Sequence, residues 1–128
     1  TLVSCLKILN LNKLVDYSIS TNDIKHSKPH PEIYLRCLIE LGVKPSETVV
    51  LEDSYYGRVS AKEANCNLMP IKYTSDVKYE NIINFIKTLN NEDKIMNQNY
   101  WEDPKINILI PMAGAGKRFA DAGYSWLG

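Results

Sequence analysis

Three things are scarce in this sequence: net charge, cysteine and long apolar runs. The formal net charge is zero at pH 7, which argues against a general nucleic-acid-binding surface because such a surface needs a basic excess. The three cysteines, Cys5, Cys37 and Cys66, are odd in number and far apart, and no CxxC or Cys/His pattern predicts a disulfide framework or a zinc site. No apolar run approaches the ~20 residues that span a membrane, and no signal peptide is visible. We therefore expect a cytoplasmic protein that binds neither nucleic acid nor membrane.

The apolar residues that are present alternate between helical and strand periods. Of the 128 residues, 45% are hydrophobic, enough for one ordinary globular domain. Apolar stripes predict helices at residues 1–10, 31–41, 57–65 and 79–89. Strands are predicted at residues 15–20, 48–51, 67–71 and 106–110, and the continuous run 48–51 is typical of a buried parallel strand. This alternation predicts an α/β fold with a Rossmann-like parallel sheet and flanking helices.

Two polar segments carry the chemistry. The first is SKPHPEIY at residues 27–34, which places Lys28 in a proline-punctuated loop just before a helix. The second is EDSYYG at residues 52–57, which places Glu52 and Asp53 directly after the apolar run 48–51. Loops at the carboxyl ends of parallel strands converge on one crevice, so Lys28 and the two carboxylates are expected to face one another. A cation opposite a hard-metal site suits a phosphate held by Mg²⁺ and an ammonium group.

The two segments resemble the third and fourth motifs of the haloacid dehalogenase (HAD) superfamily, in its β-phosphoglucomutase and phosphoglycolate phosphatase branch. The resemblance covers residues 1–89, the carboxyl-terminal half of such a core, and implies an Mg²⁺-dependent phosphohydrolase. It implies that Lys28 is catalytic and neutralises the phosphoryl group, and that Asp53, with Glu52 second, binds the metal. Ser27 and Ser54 are implied as substrate-binding residues, and the implied substrate is a phosphorylated small molecule such as a sugar phosphate.

The family's nucleophile has no match in this sequence. It is an aspartate in a DxDGT motif after an apolar strand, whereas Asp16 precedes Tyr17 without DxD and Asp23 falls in a predicted loop. The resemblance places that motif upstream of Thr1, so the chain is expected to be a fragment. The parent reaction would pass through an aspartyl-phosphate intermediate that is then hydrolysed or transferred. Residues 1–128 alone are expected to show no phosphatase turnover.

The composition changes at Asn90. Residues 90–104 are polar and rich in asparagine, and they are predicted to be a linker. Strand 106–110 then precedes the glycine-rich segment PMAGAGKRF at residues 111–119, in which backbone N–H groups can approach a phosphate closely. This segment resembles the opening of a sugar-phosphate nucleotidyltransferase. The resemblance implies that NTP phosphates bind at Gly114, Gly116, Lys117 and Arg118, and that residues 105–128 are the first strand, loop and helix of a second α/β domain.

The sequence is compatible with three interpretations of the whole chain. The leading interpretation is a fragment of a bifunctional enzyme, a HAD-like phosphatase fused to an NTP-dependent nucleotidyltransferase. A rival is a non-catalytic HAD-like module that binds a phosphate or a partner, and a third is a single-function phosphatase followed by an accidental glycine loop. Tyr34 and Cys37 are assigned to a core-facing stripe. The loop histidines His26 and His30, for which the sequence shows no paired base, are expected to be solvated or locally hydrogen-bonded rather than catalytic.

Overall fold

A computed structural model describes residues 2–93 and 107–110 of the chain. The described helices are α1 (Leu2–Ile8), α2 (Glu32–Leu41), α3 (Tyr55–Glu63) and α4 (Tyr79–Asp93). The described strands are β1 (Thr48–Glu52), β2 (Asn67–Pro70) and β3 (Asn107–Leu109). Short 3₁₀ turns lie at Thr21–Asp23, Pro45–Glu47 and Thr74–Asp76. In this part of the chain the predicted α/β class with a parallel sheet is confirmed.

β1 is the central strand of the described sheet. The strand order is β2-β1-β3, and both neighbours run parallel to β1. In the register of the sheet, Val50 pairs with Leu68 on one side and with Leu109 on the other. Every residue of β1 is buried, as predicted for an apolar strand that is covered on both faces. Pro70 lies at the end of β2, on the edge of this sheet, where its missing N–H interrupts no ladder.

Helices cover both faces of β1 because successive side chains of a strand point to opposite sides. The layer under α2 and α3 consists of Tyr34, Leu38, Val50, Ala61, Ala64 and Cys66. The layer under α4 consists of Val49, Leu51, Met69 and Ile71, with Ile82, Phe85, Ile86 and Leu89 packed against it. These two layers fix β1, and they therefore fix the position of the residues that follow its carboxyl end.

The helix ends follow their capping residues. α2 ends at Gly42, which has φ +65° and donates its N–H to the last turn, as the sequence predicts. α3 begins at Tyr55, two residues before the predicted start, because the Ser54 hydroxyl accepts the N–H of Gly57 at 3.1 Å. α4 runs to Asp93, so residues 90–93 of the predicted linker are helical. None of the helices described is long and apolar enough to cross a membrane.

The predicted strand at residues 15–20 is wrong. These residues are irregular, and Val15 is 40% exposed. Instead, Ser20 caps the turn at Thr21–Asp23: its hydroxyl accepts the N–H of Asn22 at 3.3 Å, while its own N–H donates to Asp23 at 2.7 Å. Such local side-chain bonds compete with strand pairing. The alternating apolar pattern predicted a strand here, but polar capping determines the local structure.

The predicted strand at residues 106–110 is found as β3. It pairs with β1, and the side-chain amide of Asn107 donates to the carbonyl of Glu47 at 3.2 Å. β3 therefore belongs to the same sheet as β1. The glycine-rich segment at residues 111–119 lies outside the described residues, and the second domain stays a prediction.

Two neighbouring residues of α2 test whether the layer under α2 and α3 stabilises the fold. Leu38 is 5% exposed within that layer, whereas Ile39 is 76% exposed. Leu38→Ala should lower the free energy of unfolding by about 2–5 kcal/mol, because it opens a cavity in the core. Ile39→Ala is the matched control and should change it by about 0.5 kcal/mol or less. Urea unfolding followed by far-UV circular dichroism measures both, and equal losses would contradict the placement of α2.

Candidate active site

Lys28 and Glu52 meet at the carboxyl end of β1. The Lys28 ammonium nitrogen lies 2.6 Å from Oε2 of Glu52, and the two side chains are 23% and 2% exposed. The same nitrogen lies 5.0 Å from the centre of the Tyr34 ring, within the range of a cation–π interaction. The Lys28–Pro29 peptide bond is cis. The structure thus brings together two residues that are 24 positions apart in the sequence, as the motif spacing predicts.

The Glu52 carboxylate accepts hydrogen bonds from five donor atoms. Oε2 accepts from the Lys28 ammonium at 2.6 Å and from the Tyr34 hydroxyl at 2.7 Å. Oε1 accepts from the backbone N–H of Asp53 at 3.1 Å, and from the N–H and hydroxyl of Ser54 at 3.0 and 2.9 Å. Since a carboxylate offers about four lone-pair sites, these donors use its capacity. The buried Glu52 carboxylate therefore fixes the positions of the Lys28, Tyr34 and Ser54 side chains that donate to it.

The pKa values at this site follow from burial and hydrogen bonding. Burial acts to raise the pKa of Glu52, but the hydrogen bonds from Lys28, Ser54 and Tyr34, together with the Lys28 charge, lower it to about 2. Burial, followed by the hydrogen bond to Glu52 and its negative charge, raises the pKa of Tyr34. At neutral pH the site therefore contains a carboxylate and a protonated phenol.

Gly57 is required by the close approach of Glu52. The glycine lies in the first turn of α3, and a Cβ at this position would overlap the Glu52 side chain. Any other residue would push the carboxylate away from Lys28. This is the physical reason for a glycine in the segment EDSYYG.

Asp53 and Ser54 have different roles from Glu52, although they are its neighbours in the chain. The Ser54 side chain caps α3 and donates to Glu52, whereas Asp53 is exposed at the carboxyl edge of the sheet. Mg²⁺ is bound in proteins through one or two carboxylates, waters and substrate phosphate oxygens. The exposed oxygens of Asp53 fit that requirement, while the saturated carboxylate of Glu52 does not. Asp53 would hold the metal, and Glu52 would position Lys28 through their hydrogen bond.

Ser27 and Glu32 shape the loop that carries Lys28. The Ser27 carbonyl accepts the His30 N–H at 3.1 Å, which closes a turn around Lys28. Glu32 accepts the N–H groups of Lys25 and His26 at 3.0 and 2.8 Å, so it ties the loop to the first turn of α2. The bond from the Lys25 N–H, with those from His26 and Arg36, outweighs partial burial and lowers the pKa of Glu32 to about 2. The loop is therefore held by an ionised side chain.

Tyr34 and Arg58 make contacts at the candidate site that the sequence did not predict. Tyr34 belongs to the buried stripe of α2, as predicted, but its hydroxyl also contacts Glu52. The Arg58 guanidinium donates to the carbonyls of Asp53 at 3.3 Å and Ile71 at 3.0 Å, which joins the loops after β1 and β2. The tyrosine of the segment SKPHPEIY was the one sequence feature that could have indicated the contact between Tyr34 and Glu52. Nothing in the sequence pattern indicates the contacts of Arg58.

This arrangement can bind a phosphate group. A lysine ammonium has three N–H donors, and among the described residues Lys28 donates one of them to Glu52, so two can donate to an anion. Glu52 and Tyr34 restrict its position. The predicted nucleotide-binding residues Gly114, Gly116, Lys117 and Arg118 lie outside the described residues.

The fold and these contacts define an α/β protein with a cation and carboxylates at the carboxyl edge of a parallel sheet. A model of the haloacid dehalogenase-like hydrolase family matches residues 1–71, which is more than half of the chain. The chain therefore belongs to this family. The match includes Lys28, Glu52 and Asp53.

Several curated phosphatases are similar to this chain. The putative phosphatase YhcW of Bacillus subtilis is 38% identical over 63 residues, and hexitol phosphatase B of Escherichia coli is 41% identical over 59 residues. The phosphorylated carbohydrates phosphatase of Thermotoga maritima is 44% identical over 59 residues. These matches cover 46–48% of this chain but only 27–29% of each relative. The chain thus spans less than a third of the length of these relatives.

Acid should weaken the fold through Glu52. The pKa of this group is about 2 in the folded state against an ordinary value of 4.5, so the folded state binds fewer protons between these values. The stability that the carboxylate contributes is therefore present above about pH 4.5 and lost as the pH falls towards about 2. Glu52→Gln should be less stable than the wild type at pH 7. The difference in their free energies of unfolding should shrink between about pH 5 and about pH 2.

Urea unfolding at a series of pH values, followed by far-UV circular dichroism, measures this difference. Glu40→Gln is the control, because Glu40 is an exposed carboxylate on α2. A wild-type advantage over Glu52→Gln that stays constant across the whole pH range would show that the ion pair is not the source of the stability.

Proposed function

We propose that this chain carries the electrostatic part of the active site of a phosphomonoester hydrolase. The contact between Lys28 and Glu52, directly beside Asp53, carries the proposal. Membership of the haloacid dehalogenase-like hydrolases and the phosphatase names of the relatives support it.

Each residue has a distinct role in the proposed reaction. Lys28 donates to the phosphoryl oxygens and offsets the negative charge that they carry. Glu52 keeps Lys28 in place through its hydrogen bond, and Tyr34 and Ser54 hold Glu52 in turn. Asp53 binds Mg²⁺, which neutralises phosphate charge when it is present. Arg58 donates to the backbone carbonyl of Asp53, which restrains the backbone from which the metal-binding side chain extends.

The proposed reaction also needs a nucleophilic aspartate. Among the residues that the structure describes, Asp53 is the one aspartate directly following a strand, and its proposed place is on the metal. The family resemblance implies that this nucleophile belongs to a DxDGT motif, which residues 1–128 do not contain. Attack on the phosphorus atom would form an aspartyl-phosphate and release the alcohol, and water would then release phosphate.

The proposed substrate is a small phosphorylated carbohydrate or polyol. Hexitol phosphatase B and fructose-1-phosphate phosphatase YqaB of Escherichia coli, and glycerol-1-phosphate phosphohydrolase 1 of Saccharomyces cerevisiae, have names that share this substrate class. The last two match this chain at 31% identity over 64 residues and 36% over 74 residues.

The sequence alone supports a second part of the proposal. The segment at residues 111–119 would bind NTP phosphates through Gly114, Gly116, Lys117 and Arg118, at the start of a nucleotidyltransferase. The parent protein would then remove a phosphate in one unit and activate a sugar phosphate in the other.

Lys28 should determine phosphate binding by the 128-residue chain. Isothermal titration calorimetry with a hexitol phosphate in the presence of Mg²⁺ measures the affinity, and the unphosphorylated hexitol serves as a blank. Lys28→Gln should weaken binding by about tenfold or more, because a hydrogen bond to a charged group contributes about 1.5–3 kcal/mol. Lys25→Gln is the matched control, since Lys25 is an exposed lysine of the same loop and should leave the affinity unchanged. Equal losses in the two variants would rule out the proposed role of Lys28.

Asp53 should determine the effect of Mg²⁺ on that binding. Mg²⁺ is expected to strengthen hexitol phosphate binding by the wild-type chain, because an ion held by Asp53 would offset phosphate charge. Asp53→Asn should abolish this Mg²⁺ dependence and keep the weaker binding that Lys28 provides in EDTA. Asp16→Asn, a change at an exposed aspartate in the loop after α1, should retain the full Mg²⁺ effect. An undiminished Mg²⁺ effect in Asp53→Asn would place the metal elsewhere.

A further inference from the structure

A second polar cluster lies on the loop that carries Lys28. It consists of His26, His30 and Glu32, and one nitrogen or oxygen atom from each side chain lies within 4.8 Å of the other two. The two histidines are exposed and Glu32 is half-buried. None of these three side chains contacts Lys28 or Glu52 through a hydrogen bond, so the cluster is separate from the proposed phosphate site.

The histidine rings are held close together by the backbone around them. His26 and Lys25 donate their N–H groups to Glu32, and His30 donates its N–H to Ser27. The ring centres of His26 and His30 lie 4.6 Å apart, with a tilt of 31° between the planes. The loop is thus fixed in a form that presents two imidazoles side by side.

Glu32 completes the cluster with a carboxylate oxygen. Its Oε2 lies 2.8 Å from Nδ1 of His26, and its own N–H contacts Nδ1 of His30 at 3.1 Å. Its other oxygen, Oε1, accepts from the Lys25 N–H and from the Arg36 guanidinium. Oε2 also accepts the backbone N–H of His26 at 2.8 Å, so both oxygens anchor the loop, and Oε2 is the one that also contacts an imidazole.

We propose that His26, His30 and Glu32 form a surface site for a divalent transition-metal ion of the zinc, nickel or copper class. Imidazole nitrogens suit these ions, whereas Mg²⁺ and Ca²⁺ prefer oxygen ligands alone. Two imidazoles and one carboxylate supply three ligands, and a water molecule takes the fourth position of a tetrahedral zinc ion.

The observed distances allow such an ion with small movements. Ligand atoms about 2.0–2.2 Å from a tetrahedral zinc ion lie roughly 3.3–3.5 Å from one another. The present spread, within 4.8 Å, narrows by rotation of the two exposed rings. Nδ1 of His26 and Oε2 of Glu32 are closer than this, so the ion replaces their hydrogen bond. The N–H of Glu32 that now contacts His30 lies in the first turn of α2, where water can satisfy it.

The cluster is also accessible. His26 and His30 line an open depression of about 560 Å³, together with Pro29, Val59 and Glu63. An ion and its water ligand can enter from solvent, and Glu63 adds a negative charge nearby. Because the cluster closes the loop at residues 25–30 onto α2, a bound ion would also stiffen the loop that carries Lys28.

Zinc titration of the tag-free 128-residue chain tests the site. A Cys5→Ser background removes the half-buried Cys5 thiol as a zinc ligand, and the other two cysteines are buried. Competition with a chromophoric chelator should show one equivalent of bound Zn²⁺. His26→Asn, His30→Asn and Glu32→Gln should each weaken zinc affinity by about tenfold or more. Loss of a residue that only hydrogen-bonds a metal ligand already costs about tenfold, and a ligand should cost at least as much. Glu40→Gln, a change at an exposed carboxylate on the same helix, should leave zinc affinity unchanged.

A second measurement needs no substitution of a ligand. The chain contains only two histidines, so the nitrogen couplings in the electron paramagnetic resonance spectrum of one bound Cu²⁺ report on them directly. Coupling to two imidazole nitrogens at one equivalent is the expected result. Coupling to one imidazole or to none, or equal zinc affinity in His26→Asn and His30→Asn compared with the wild type, would overturn the proposal.

Discussion

The buried ion pair of Lys28 and Glu52 connects most of the described structure. Glu52 lies at the carboxyl end of β1 and accepts from five donor atoms. They belong to Lys28 in the loop before α2, to the hydroxyl of Tyr34 on α2, and to Asp53 and Ser54, which precede α3. Removing one partner of a buried pair costs about 3–5 kcal/mol, a large part of the roughly 5–15 kcal/mol that stabilises a small domain. Even the absence of a side chain at Gly57 follows from the space that Glu52 occupies. The fold and the candidate site thus depend on the same contact.

Neighbouring carboxylates in the sequence have opposite surroundings because successive residues leave a strand on opposite sides. Glu52 is buried and saturated by hydrogen bonds, whereas Asp53 is exposed. At the proposed phosphate site, an anion would therefore approach Lys28 without displacing Glu52, because Tyr34 and Ser54 also donate to the Glu52 carboxylate. Adjacent acidic residues after a strand need not both bind a metal. Here Glu52 positions the Lys28 ammonium, while Asp53 is the candidate metal ligand.

Sequence reasoning succeeded where one physical effect dominates. The run 48–51 is too apolar for any place but a buried strand, Gly42 adopts the left-handed conformation that ends α2, and the motif spacing brought Lys28 to Glu52. It failed at residues 15–20, where capping by Ser20 outweighs an alternating pattern. It also assigned Tyr34 to packing alone, although its hydroxyl donates to Glu52. It did not identify Glu32 as the local hydrogen-bond partner of His26, which lies 2.8 Å from the ring nitrogen. Contacts of this kind depend on how a loop folds back on a helix, and the periodic pattern of apolar residues does not predict that path.

The position of β3 shows why fold and function need separate arguments. β1 is buried on both faces and needs a hydrogen-bonding partner on each side, since an unpaired strand edge invites association. The apolar run around Ile108 has the composition to supply one partner, and it pairs with β1 in parallel, opposite β2. That pairing follows from backbone hydrogen bonding and burial, so it does not define the chemistry of the residues around it. Chemistry is assigned by side chains such as Lys28 and Asp53, whose surroundings restrict what they can bind.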